Sequence, residues 1–64
     1  MSTNQNEYEY SVKYRYLKED GYLSDSQVYY HATNTSVHKT AEKEVRKILS
    51  NKHKEVEIYS VTMV

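Results

Sequence analysis

Cysteine, proline, tryptophan and phenylalanine are absent from this 64-residue chain, and glycine occurs once, at Gly21. Without cysteine there are no disulfides, no thiolate metal sites and no thiol nucleophile. A single glycine cannot build a GxGxxG turn or a phosphate-cradling P-loop. Formal charge is also missing, because nine basic side chains balance nine acidic ones. No global field therefore draws the chain to nucleic acid or to a membrane. No apolar run approaches the ~18–20 residues of a spanning helix, and the N-terminus lacks the apolar core of a signal peptide. These absences make a cytoplasmic location the expectation, with no cofactor and no metal. The chain opens on Met1 without a tag or linker, so it reads as a complete small gene product.

What is present is organised around Tyr8–Leu17, YEYSVKYRYL. Tyr8, Tyr10, Val12, Tyr14 and Tyr16 fall on every second residue, with Glu9, Ser11, Lys13 and Arg15 between them. This alternation predicts a strand with one packed face and one wet face. Residues 1–7, polar and aperiodic, are expected to form a disordered tail, with a single domain over 8–64. A chain this short buries only about 60 % of its extended surface, so its stability is marginal and a partner subunit would help hold it.

Lys18-Glu19-Asp20-Gly21 predicts a turn, with Gly21 supplying a left-handed conformation. Two registers follow. A two-residue turn at Asp20-Gly21 places Val12 opposite Tyr29 and sends Val28, Tyr30 and Ala32 to the wet face. A three-residue loop places Val12 opposite Val28, Tyr10 opposite Tyr30 and Tyr8 opposite Ala32. It also pairs Arg15 with Asp25, Leu17 with Leu23 and Glu9 with His31 on the other face. The second register satisfies both faces and is the expected one. The Ser24-Asp25-Ser26 stretch weakens the strand and is a natural place for a bulge.

Ser36 is the expected N-cap of a helix in which Val37, Ala41, Val45, Ile48 and Leu49 recur at helical spacing. Glu42 and Arg46 form an i,i+4 pair. Asn51 is expected to end the helix in a left-handed conformation. Glu55–Val64 reads as a last strand, with Val56 and Ile58 on one face and Val61 and Met63 on the other. Either a bulge near Ser60 restores the phase or both faces are partly covered.

The elements give an α+β fold, ββαβ. The expected architecture is a three-stranded antiparallel sheet in order 2-1-3, with one helix packed on the tyrosine face. Order 1-2-3, with a parallel final pair, is the alternative. The tyrosine rings are expected to lie under the helix with hydroxyls reaching the rim.

Catalytic constellations are sparse. His38 and Glu42 share a helix face, but no third ligand joins them by spacing, so they read as solvated side chains. Two surfaces carry the functional expectation. The helix presents Lys39, Lys43, Arg46 and Lys47, within a segment, Ser36–Lys54, that holds six Lys or Arg and two Glu. The uncovered sheet face is expected to show Lys13, Arg15, Leu17, Leu23, Tyr29, His31 and Tyr59, with Val61 and Met63 a further option there. Such surfaces suit a protein interface or a nucleic-acid clamp.

The ββαβ order, the helix core TAEKEVRKIL and the closing VEIYSVTMV together resemble very short stand-alone phage proteins of the host-takeover and anti-CRISPR kind. The likeness covers Tyr8 to Val64 and is one of pattern. It implies a non-enzymatic protein that binds and inhibits or modulates a host protein or protein–nucleic-acid complex. The alternative is a small nucleic-acid-binding protein using the same basic residues. A homodimer through the open sheet face is a further expectation.

Overall fold

The alternation of Tyr8–Leu17 becomes strand β1 over that span, and its even residues are the floor of the core. Tyr10 and Val12 are fully buried and Tyr14 nearly so. Burial of Val12 alone contributes roughly 1.5–3 kcal/mol. The computed structural model describes residues 7–64, so the tail expected over residues 1–7 lies, but for Glu7, outside the described residues. Strand β2 spans Gln27–Thr33, helix α1 His38–Lys52 and strand β3 Lys54–Met63. The sheet is antiparallel in order β2-β1-β3, as the sequence predicts.

The β1–β2 register differs from the expected one. Near the turn the expectation holds: Leu17 bridges Leu23, the Lys18 amide donates to the Tyr22 carbonyl at 2.8 Å, and Gly21 takes φ +90°. Beyond it the ladder slips by one residue. Val12 lies opposite Tyr29, Tyr10 opposite His31 and Glu9 opposite Ala32. The step lies between Ser24 and Gln27. Ser24 is buried, its amide donates to the Tyr16 carbonyl at 2.8 Å, and its hydroxyl accepts from the Tyr16 amide at 3.1 Å. That pair of hydrogen bonds holds Ser24 against Tyr16, and the chain takes up its extra residue before β2 begins at Gln27. One step of slip exchanges the two faces of a strand. Tyr29 and His31 therefore face the helix, while Val28, Tyr30 and Ala32 face outward. The expected Glu9–His31 and Arg15–Asp25 pairs do not form.

Strand β3 resolves the phase problem of its own sequence with a bulge. Lys13 lies opposite Ser60 and Tyr14 opposite Ile58, which leaves Tyr59 without a partner. Val61, opposite Val12, and Met63, opposite Tyr10, thereby join Ile58 and Val56 against the core and do not sit on the open face. A second irregularity lies between Arg15 and Leu17, whose β3 partners are Glu57 and Lys54, and Glu55 adopts φ +46° within it.

Helix α1 lays Ala41, Val45 and Leu49 onto the tyrosine face, with Ile48 half-buried beside them. Val37 is exposed and outside the core. Ser36 is not the N-cap: the helix starts after Val37, which has no side-chain cap. Thr35 takes the capping chemistry one residue early, its Oγ1 accepting the Val37 amide at 3.1 Å and its carbonyl accepting the Tyr10 hydroxyl at 2.9 Å. Asn51 stays helical, because His53 stacks on Tyr16 at 3.7 Å and the helix runs on to Lys52 to meet it.

Candidate functional site: the uncovered sheet face

The helix lies chiefly over β3 on one side of the sheet, and among the described residues no element covers the other side. The odd residues of β1 form its centre line. Val28 stands beside Lys13 and Tyr30 beside Ser11 on the β2 side, and Ser60 and Thr62 flank them on the β3 side. Tyr30 is 62 % exposed, and Val28, Leu23 and Tyr59 are each about half exposed. The bulge gives Tyr59 its position. With no partner to oppose it, its side chain reaches across β1, where the Arg15 guanidinium lies 5.7 Å from the ring centroid and the Ser26 hydroxyl meets the phenol oxygen. Arg15 also pairs with Glu57 at 3.3 Å, and its Nε is buried with no hydrogen-bond partner. Lys13 is exposed and makes no ion pair among the described residues.

The expected site residues thus divide. Lys13 and Arg15 are on the open face. Lys39, Lys43 and Lys47 are exposed along the helix, but Arg46 leaves that stripe to bond Glu42 at 3.0 Å and the Val56 carbonyl at 3.4 Å. Tyr29 and His31 belong to the opposite side, which corrects their expected exposure. His31 Nε2 lies 2.8 Å from Glu44 Oε1, the same oxygen that accepts the Thr33 hydroxyl at 2.9 Å. These two bonds hold the Glu44 carboxyl below the usual carboxylate range. They tie β2 to the helix.

The residues that take the places of Tyr29 and His31 on the open face are Val28 and Tyr30, which the expected register puts in the core. The step between the two registers lies in the Ser24-Asp25-Ser26 run, where a bulge is expected, but nothing within that run records that the step reverses the faces of β2.

Elsewhere, a cleft of about 680 Å³ separates the β1–β2 turn from the C-terminal end of the helix. Tyr16, His53, Lys52 and Lys54 line it together with Glu19 and Asp20, so its charge is mixed. Burial pushes the Tyr10 and Tyr14 hydroxyls above the ordinary phenol value, with neighbouring tyrosines adding to the effect. Among the described residues no three His, Asp or Glu side chains converge as a metal set, and no helix is long and apolar enough to cross a membrane. Compared with known proteins, the chain matches no family model, no curated protein and no solved structure.

Proposed function

We propose that this chain is a non-enzymatic binding protein that docks a macromolecule on its uncovered sheet face and thereby inhibits or modulates a host protein or protein–nucleic-acid complex in the cytoplasm. The observation that carries the reading is the composition of that face. Val28, Tyr30, Leu23 and Tyr59 stand exposed around Lys13 and Arg15. Tyrosine and arginine are enriched in protein interfaces, and isolated subunits rarely leave apolar side chains grouped on one surface. The Arg15–Tyr59 contact holds two long side chains in place before a partner arrives, which lowers the ordering cost of binding. The resemblance to short phage host-takeover proteins points the same way, toward a bacterial partner.

The test is capture from bacterial lysate with wild type and with the face variant Lys13→Glu/Tyr59→Ser. A partner retained by wild type and lost by a variant of equal melting temperature supports the reading. Equal retention by both removes the face from it.

A second reading, direct nucleic-acid binding, rests on Lys39, Lys43 and Lys47, which are exposed, follow one helical face and make no ion pair among the described residues. Titration of labelled single- and double-stranded DNA and RNA at two salt concentrations decides it. Phosphate binding weakens steeply with salt, so binding with such a slope, abolished by Lys39→Glu/Lys43→Glu, favours this reading over the first.

A further inference from the structure

The two edges of the sheet are built differently. Strand β3 is guarded: it carries Lys54, Glu55 and Glu57, and two irregularities interrupt its ladder with β1. Charges and bulges are the means by which edge strands avoid pairing with other chains. Strand β2, QVYYHAT, has none of them. From Gln27 to Thr33 there is no Lys, Arg, Asp, Glu or Pro, and its ladder to β1 is regular throughout. Its outer side has no strand beside it among the described residues. The helix, set chiefly over β3, does not crowd it.

We propose that β2 is a self-association edge, pairing antiparallel with β2 of a second copy to give a two-fold dimer with a continuous six-stranded sheet. A two-fold axis relates identical strands in antiparallel sense, so the geometry needs no new backbone conformation. The register that pairs all seven residues is centred on Tyr30. It sets Tyr30 against its own copy, Val28 against Ala32, Tyr29 against His31 and Gln27 against Thr33.

Each pair is chemically compatible on its own face. On the open face, two tyrosines meet at the axis with Val28 and Ala32 on either side. On the helix face, Tyr29 and His31, already 6.2 Å apart and near-parallel within one strand, stack against their counterparts. No like charges oppose one another, the usual obstacle to self-pairing. The occupant favoured by these pairings is a second copy, since a strand whose charged neighbours are all elsewhere matches itself in this register. The need is also evident: among the described residues the buried apolar core consists of Tyr10, Val12, Tyr14, Ala41, Val45 and Leu49, and small cores gain most from association. This dimer does not consume the open sheet face. It places two copies of that face side by side, and it stands whether or not the face binds a foreign partner.

Two engineered pairs read the register directly. In Val28→Glu/Ala32→Glu, the carboxylate introduced at position 28 of one copy would face the one introduced at position 32 of the other. In Val28→Lys/Ala32→Glu, opposite charges would face each other. Within one chain the order is reversed, because Val28 lies beside Lys13 and Ala32 beside Glu9: the first variant sets one attraction against one repulsion in the isolated fold, and the second meets repulsion at both positions. The expected result by sedimentation equilibrium is a wild-type mass that rises with concentration from one chain to two. The Val28→Glu/Ala32→Glu variant stays at one chain, the Val28→Lys/Ala32→Glu variant returns to two, and Tyr30→Lys stays at one with a far-ultraviolet spectrum like wild type. Lys13→Glu/Tyr59→Ser, altered on the face alone, still dimerises. A wild-type mass of one chain at every concentration overturns the proposal and leaves the edge to a foreign strand. A dimer broken by the face variant but not by Tyr30→Lys also overturns it, moving the interface to the face.

Discussion

Val12 lies opposite Tyr29 across the β1–β2 ladder, one residue out of step with the Leu17–Leu23 bridge at the turn end of the same strands. Everything exposed on β2 follows from that offset. It turns His31 toward Glu44 and turns Val28 and Tyr30 to solvent. The offset is made in Ser24–Ser26, where the buried Ser24 hydroxyl holds the Tyr16 amide. Deletion of Asp25 removes the residue that the slip requires. The deletion variant either rotates β2, losing the His31–Glu44 and Thr33–Glu44 bonds, or strains its connection. In both cases its melting temperature falls below that of wild type, and nuclear Overhauser contacts between the Tyr29 ring and the helix report which has happened.

Tyr14 is nearly buried beneath the helix. Tyr14→Ala is expected to cost about 3–5 kcal/mol, a large part of the ~5–15 kcal/mol that holds a domain together. Tyr10→Phe keeps the ring and removes only the bond to the Thr35 carbonyl, for an expected cost of about 0.5–1.5 kcal/mol. Urea unfolding of both variants measures the ratio, and a near-native Tyr14→Ala would remove that ring from the core.

Alkaline stability follows from the same rings. Burial raises the Tyr10 and Tyr14 hydroxyls above the ordinary phenol value of 10.0. The folded state holds these protons more tightly than the unfolded one. Their contribution is therefore complete below the ordinary value and is lost as pH rises through the folded values. Phenolate absorbance followed together with far-ultraviolet circular dichroism checks this. Tyr10 and Tyr14 ionise together with the loss of helical circular dichroism.

At acid pH the sign reverses. Glu44 sits below the usual carboxylate range because His31 and Thr33 bond its carboxylate. The unfolded state binds the proton more readily, so this stabilisation is present above the ordinary carboxylate range and disappears as pH falls through the lowered value of Glu44. Glu44→Gln is expected to melt lower than wild type at neutral pH and to show a flatter acid limb. Equal acid limbs in the two proteins would exclude the contribution.

Gly21 occupies φ +90° with nothing within 4 Å of an added Cβ. Gly21→Ala meets no clash and is expected to cost only the backbone strain of a left-handed alanine, roughly 1–2 kcal/mol. Glu55 at φ +46° carries strain of the same kind, so Glu55→Gly is expected to raise the melting temperature. Thermal unfolding of the two variants should move in opposite directions.

The sequence by itself determined the elements, their order and the central place of Tyr8–Leu17, because these depend on local periodicity. Apolar side chains at every second residue make a half-buried strand, and Ala41, Val45 and Leu49 at helical spacing make a one-sided helix. It also determined that Lys13 and Arg15 point away from the core, since they alternate with Tyr10, Val12 and Tyr14 within one strand. The tertiary structure decided the phase between strands. An extra residue between Ser24 and Gln27 slipped β2 by one and placed Tyr30, not Tyr29, on the open face. The bulge at Tyr59 gathered Val61 and Met63 under the helix and sent the Tyr59 ring across Arg15. A side chain alternates with a period of two, so a single inserted residue reverses a whole strand, and no periodicity within that strand records the reversal.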